Sequence, residues 1–155
     1  MNKQEFTQQV MEAENSLYRV ARTLSANESD CEDAVQQAIL TAYDKLDNLR
    51  NEKFFKTWLT RILINECYKI RRKSGFVISF EDYTADIPSD VKIDNELRDA
   101  VFRLPIKLRS VIVLYYIEGY SVEETAYMLK LPQGTVKSRL HKARKLLKTM
   151  LDDEI

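Results

Sequence analysis

The chain has 155 residues and 45% hydrophobic content, enough for one packed domain or two small ones, and 24 Lys+Arg balance 24 Asp+Glu, so the net charge alone points to no class of partner. Three glycines and three prolines among long stretches of Ala, Leu, Glu, Lys and Arg argue against a sheet protein and predict an all-α fold without regular strands. Met1 to Phe6 has no basic flank leading into an apolar run, and nowhere do about eighteen uncharged apolar residues follow one another, so a soluble, cytoplasmic chain without membrane insertion is expected.

A first helix is predicted from about Lys3 to Leu24, with Phe6, Val10, Ala13, Leu17, Ala21 and Leu24 recurring at spacings of four and three. After a turn at Ser25 to Ser29, the capping box Ser29-x-x-Glu32 opens a second helix to about Leu46, burying Ala34, Val35, Ala38, Ile39 and Ala42. Asp47 to Lys53 reads as a polar loop. A third helix from about Phe54 to Lys73 stops at Ser74-Gly75.

Phe76 to Val91 lacks helical periodicity and contains Pro88 with several Asp and Ser, the pattern of a linker. The expected organisation is therefore a domain over 1–75, a flexible linker over 76–93 and a second domain over 94–155. That second domain begins with a short helix from about Asp94 to Phe102. Pro105 then sits in the first turn of a helix that ends before Gly119. The capping box Ser121-x-x-Glu124 opens a short helix to about Lys130, Leu131-Pro132-Gln133-Gly134 makes a tight turn, and the last helix runs to about Leu151.

The neutral total conceals an uneven distribution. Lys53, Lys56, Arg61, Lys69, Arg71, Arg72 and Lys73 face a single acid, Glu66, and Lys137, Arg139, Lys142, Arg144, Lys145 and Lys148 face none. Between these runs, Phe76 to Leu104 carries seven acidic and three basic residues. Two basic modules on an acidic spacer suggest two phosphate-facing surfaces. Cys31 and Cys67 are isolated and His141 is the one histidine, so buried free thiols are expected, with no metal site, no disulfide framework and no cofactor.

The last two helices have the layout of a helix-turn-helix, whose second helix enters a DNA major groove. Val136, Leu140, Ala143 and Leu147 form a stripe that must pack inward, which leaves Ser138, His141, Lys142 and Lys145 outward, flanked by Lys137 and Lys148 on one side and Arg139 on the other. A generic basic helix presents such a face merely to water. The capped helix and Pro-Gly turn just upstream favour the DNA reading. On the third helix, Phe55, Leu59 and Ile62 define the core side with Trp58 at its edge. Phe54, Arg61, Asn65, Tyr68 and Arg72 line up within about 60° over about 27 Å, an array suited to stacking and holding a single strand. On residue types alone, a solvated face accounts for Arg61, Asn65 and Arg72 equally well.

These residues resemble a known family. Leu104-Pro105, Arg109, Leu114, Glu118-Gly119-Tyr120-Ser121, Glu123-Glu124, Ala126, Leu129 and the string from Gly134 through Lys137, Ser138 and Arg139 to Ala143-Arg144 resemble the fourth conserved domain of bacterial sigma factors. Asp30, Glu32-Asp33, Val35-Gln36, Ala42-Tyr43, Phe55, Trp58-Leu59, Ile62, Asn65 and Arg72 resemble the second. No insertion resembling the third sigma domain is present, as in the small extracytoplasmic-function (ECF) group. Departures are Lys130 where Gly is common, Thr125 where Ile is, and Lys69 where Asp is frequent.

The resemblance implies a non-enzymatic factor that brings RNA polymerase core to promoters and assists melting. It implies that Lys137, Ser138, Arg139, His141 and Lys142 read the minus-35 element. Asn48, Arg50, Asn51, Lys53, Arg61, Asn65 and Arg72 would capture the melted minus-10 element. Asp30, Asp33 and Gln36 would dock on the coiled coil of the largest polymerase subunit, and the second domain would touch the flap of the second-largest. An anti-sigma factor is the further implied partner. Rival readings are a dimeric helix-turn-helix regulator, a nuclease and a helical adaptor without a DNA role. The regulator leaves the pattern from Asp33 to Arg72 unused, and the nuclease has no phosphate-cradling loop or metal-ligand cluster to work with.

Overall fold

The structure is a computed structural model that describes residues 1–25, 27–74 and 95–152. The expected linker over Phe76 to Val91, the glycine stop at Gly75 and the helix start at Asp94 lie outside those residues. Among the described residues there is no strand, and the chain divides into two compact units, Met1–Val77 and Ile78–Ile155.

The first unit is three mutually packed helices: α1 (Lys3–Leu24), α2 (Glu28–Asp44) and α3 (Phe55–Ser74). Asn2 caps α1 through a reciprocal capping box, its Oδ1 accepting from Glu5 N at 2.8 Å while Glu5 Oε2 accepts from Asn2 N at 2.9 Å. The predicted stripe on α1 is buried except at Val10, which is half-buried. Small residues on α2 (Cys31, Ala34, Ala38, Ala42) pack inward, with Val35 between them, which lets the helix approach α3 closely.

Three details of this unit depart from the sequence reading. The start of α2 is capped by Asn27, whose Oδ1 accepts from Asp30 N at 3.2 Å, so the predicted Ser29–Glu32 box falls inside the first turns. Asn27 prevails because Ser25 Oγ accepts its N–H at 3.4 Å, and the Arg22–Glu28 ion pair at 3.3 Å joins the two helix ends, so the helix gains residues. Next, α2 ends at Asp44, and the expected loop carries two short 3-10 turns, Leu46–Asn48 and Glu52–Phe54. Lastly, Ile39 and Ile62 are half-buried, and the core of α3 runs through Phe55, Leu59, Leu63, Ile64 and Cys67. α3 packs on both α1 and α2, so its buried face is wider than a single stripe and also takes in Thr57, Thr60 and Glu66.

The second unit contains α4 (Asn95–Arg103), α5 (Ile106–Ile112, continuing as a π turn over Val113–Ile117), α6 (Val122–Leu129) and α7 (Gln133–Asp152). α4, α5 and α6 all pack against α7. Pro105 stands at the cap of α5 with extended backbone, one place before the predicted first turn, and its carbonyl accepts from both Leu108 N and Arg109 N at 2.9 Å. The single long helix expected before Gly119 changes to π geometry, closed by Glu118 N donating to Val113 O at 2.9 Å, and Gly119 at φ 79° then reverses the chain. The predicted Ser121–Glu124 capping box forms, with both hydrogen bonds at 3.0 Å. The turn before α7 lies earlier than expected: Gly134 is in the first helical turn and has no positive φ, while the left-handed residue is Lys130.

Lys130 closes α6 at φ 57° and ψ 47°, and Leu131 N donates to Ala126 O at 3.0 Å, a Schellman closure built on a lysine. A Cβ disfavours this backbone, which accounts for the glycine preference at this place. Thr125 has a second misfit: its side chain is fully buried and Oγ1 has no hydrogen-bond partner. Lys130→Gly and Thr125→Val should each raise the unit's unfolding free energy by roughly 1 kcal/mol, the first by relieving the backbone and the second by removing an unsatisfied hydroxyl. Denaturant titration monitored by far-UV circular dichroism checks both. A loss of stability in either variant contradicts the corresponding account.

Candidate nucleic-acid and polymerase interfaces

On α7 the predicted inward stripe is buried at all four places: Val136 at 0%, Leu140 at 3%, Ala143 at 0% and Leu147 at 9% exposure. Lys137, Ser138, His141 and Lys142 are exposed on the other side, with Arg139 half-buried on the flank. Ser138 Oγ donates to Thr135 O at 3.1 Å, so its hydrogen serves the helix and its lone pairs face outward. From Gln133 to Leu151 α7 contains no acid, so no carboxylate on this helix opposes a phosphate. α6 and α7 are joined by a three-residue turn, Lys130 to Pro132, the arrangement of a helix-turn-helix with α7 as the second helix.

In the first unit, Arg61, Asn65, Tyr68 and Arg72 fall on the side of α3 opposite Leu63 and Cys67, and Phe54 ends the 3-10 turn that leads into the helix, one residue before its start. Phe54 and Arg72 are exposed, and Arg61, Asn65 and Tyr68 are half-buried. Trp58 is half-buried beside this stripe, its ring 6.1 Å from that of Phe55, which in turn meets Phe6 edge-on at 5.6 Å. Asn48, Arg50, Asn51 and Lys53 are all exposed at the two 3-10 turns leading into α3. Asn51 Oδ1 caps the second turn by accepting from Lys53 N at 3.0 Å, which commits that oxygen to the backbone. Glu52 Oε1 in the same turn lies 2.8 Å from the Met1 ammonium and raises its pKa through that hydrogen bond and its charge. The buried acid Glu66 pairs with Lys69 at 3.3 Å, so the lysine at this place balances a buried negative charge.

Along α2, Asp33 and Gln36 are exposed and Asp30 is half-buried. The same face continues through Leu40, at 61% exposure, and Tyr43, at 48% exposure, whose ring also meets the buried Phe6 edge-on at 5.2 Å. The sequence reading gave neither a binding role, although Tyr43 belongs to the pattern that resembles the second sigma domain. Leu40 could have been found, because it falls opposite the Ala34–Ala38–Ala42 stripe. Among the described residues no group of three or more His, Cys, Asp or Glu is placed to hold a metal, and no helix is long and apolar enough to cross a membrane.

Cys31 and Cys67 are buried free thiols. Burial pushes the Cys67 thiol above its ordinary value of 9.0, with Cys31 and Glu66 adding to the effect. The folded thiol therefore keeps its proton at a pH where the unfolded chain has lost one. Its contribution to stability is full below about pH 9 and declines as pH rises from there, by up to ~1.4 kcal/mol per pH unit. Urea titrations at increasing alkaline pH should show a steeper loss in the native chain than in Cys67→Ala. Parallel slopes would contradict this.

A helix-turn-helix unit and a unit with an outward aromatic, amide and cationic stripe define a two-module nucleic-acid-binding protein. Comparison with known proteins gives the family. Sigma-70 region 2 matches residues 10–76, and Sigma-70 region 4 matches residues 94–147. The chain is 36% identical over 139 residues to the ECF RNA polymerase sigma factor SigM of Mycobacterium tuberculosis, covering 87% of this chain and 71% of SigM. Among solved structures it resembles the Bartonella quintana sigma factor RpoE, crystallised with the anti-sigma factor NepR. The TM-score is 0.75 at 29% identity, covering 96% of this chain and 97% of that one. It also resembles CnrH, in complex with the cytosolic domain of CnrY, with TM-score 0.76, 28% identity and coverage of 99% and 92%. The chain belongs to the ECF sigma factors, and its function is promoter-specific initiation of transcription by bacterial RNA polymerase.

Proposed function

We propose that this sigma factor divides promoter recognition between a domain over 1–75 and a domain over 94–155, with the segment 76–93 setting their separation. In the second domain Lys137, Ser138, Arg139, His141 and Lys142 read the minus-35 duplex, and the domain also touches the flap of the second-largest polymerase subunit. In the first, Asp30, Asp33 and Gln36 dock on the coiled coil of the largest subunit. Asn48, Arg50, Asn51, Lys53, Arg61, Asn65 and Arg72 then hold the melted minus-10 strand. The protein works in the cytoplasm and carries no catalytic group of its own. An anti-sigma factor is its regulatory partner, as the complexes of RpoE with NepR and of CnrH with the cytosolic domain of CnrY suggest by likeness.

The observation that carries this reading is the clean division of α7, apolar stripe buried and all-cationic or neutral face outward, beside an α3 whose stripe of strand-binding side chains also faces away from its core. Melting costs stacking and pairing energy, and each captured base returns roughly 1–3 kcal/mol, so several are needed to hold a bubble. Neither module should therefore grip a promoter tightly alone. The free chain is expected to bind DNA weakly and with strong salt dependence, while core polymerase plus the chain starts transcription at defined sites. In vitro transcription with start-site mapping tests this. Unchanged start-site use on adding the chain, or nanomolar promoter binding by the chain alone, would count against it.

A further inference from the structure

We propose that Tyr116 and Arg144 form a buttressed phosphate clamp on one flank of α7, gripping the backbone of the minus-35 duplex while the adjoining face reads its bases. The proposal rests on the reading that α7 enters that duplex. Arg144 Nη1 donates to Tyr116 Oη at 2.8 Å, a side-chain bond from α7 to the π turn of α5 between two exposed residues. Tyr115 meets the Tyr116 ring edge-on, with centroids 4.9 Å apart and planes at 90°, and so holds the phenol in place. Tyr116 also lies in the π segment Val113–Ile117. Short π segments recur at functional sites because the extra residue re-aims the side chains around it.

Charge indicates what the clamp would hold. The cations Lys137, Arg144 and Lys148, with the polar His141 among them, recur at spacings of four, three and four along one flank, all exposed, over about 16 Å of helix. This flank lies roughly a quarter-turn round the helix from the face of Ser138 and Lys145, on the side where a groove wall passes. An arginine tied through one nitrogen to a phenol keeps the rest of its planar fork pre-oriented, and that geometry suits a phosphate. A surface hydrogen bond between exposed groups adds little to stability, so the order it imposes on the guanidinium is of more use to a ligand than to the fold.

The test uses holoenzyme reconstituted from core polymerase and the full chain. The probes are a promoter duplex found by start-site mapping and a copy with the minus-35 element scrambled, titrated across a salt series. Arg144→Ala should weaken both duplexes by a similar factor, about 5- to 20-fold, and lower the log–log salt slope by about 1. Tyr116→Phe keeps the ring and the charge, and should weaken both about 2- to 5-fold with the slope unchanged. Arg144→Lys, the milder variant if alanine impairs folding, should keep the slope but not the full affinity. An unaltered slope and affinity in Arg144→Ala would overturn the proposal. So would a loss confined to the intact minus-35 duplex, which would make Arg144 a base reader, or a loss of core polymerase binding alone, which would make the flank a protein contact. If scrambling does not weaken the native holoenzyme, the reading of α7 has failed, and the clamp falls with it.

Discussion

Arg109→Ala is expected to destabilise the second unit by about 2–5 kcal/mol and to leave the first untouched. Arg109 is 5% exposed. Its Nη2 donates to Leu104 O at 2.9 Å, and its guanidinium lies 5.7 Å from the centre of the Phe102 ring. It therefore satisfies a carbonyl at the α4–α5 corner that the helix ladder does not, and presses its cation on an aromatic face. Truncation leaves that buried carbonyl unpaired, at roughly 1–3 kcal/mol, and removes a cation–π contact of roughly 1–2 kcal/mol. Arg109→Lys keeps the charge without the fork and should recover only part of the loss. The measurement can separate the units, because Trp58 is the one tryptophan and sits in α3. Urea titration should show an earlier circular dichroism transition in the variant with the tryptophan emission transition in place. A matching shift in tryptophan emission, or no shift in either signal, would contradict this role.

Arg109 also shows where residue patterns inform and where they do not. Its type and place were legible as part of a family pattern, but its work, holding a corner carbonyl, depends on a neighbour in space. The face of α7 was legible outright because that helix buries a single stripe, so apolar periodicity fixes its rotation. α3 was harder. It packs on two helices, so its buried side is broad and includes Thr57, Thr60 and Glu66, which a search for apolar periodicity passes over. The outward stripe of α3 survived that error because its members were chosen by mutual alignment, and it lies opposite the true core. The π turn left no trace in composition, since it arises where the helix meets the reversal at Gly119. The start of α2 was misplaced because Asn27 and Ser29 are both good caps, and the choice between them rests on Ser25 and on the Arg22–Glu28 pair.

The two nucleic-acid surfaces should fail in different ways, and that difference tests the assignment of Lys142 and Asn65 most directly. Lys142 is exposed on the outer face of α7, so Lys142→Ala removes a donor to a duplex before any base pair opens. A lost base contact is worth roughly 1–3 kcal/mol, so closed-complex affinity should fall about 5- to 150-fold, with relaxed preference at one minus-35 position. Asn65 lies half-buried on the outward stripe of α3 between Arg61 and Tyr68. Asn65→Ala changes no charge, so the first encounter and its salt dependence should stand. The loss should appear in the opened complex, as weaker permanganate reactivity of minus-10 thymines and a lower open fraction of similar magnitude. Promoters already melted by a mismatched minus-10 bubble should rescue Asn65→Ala more than Lys142→Ala, because the bubble removes the cost of melting and restores no duplex contact. Equal rescue of both variants would mean that the two helices do not divide the promoter between them.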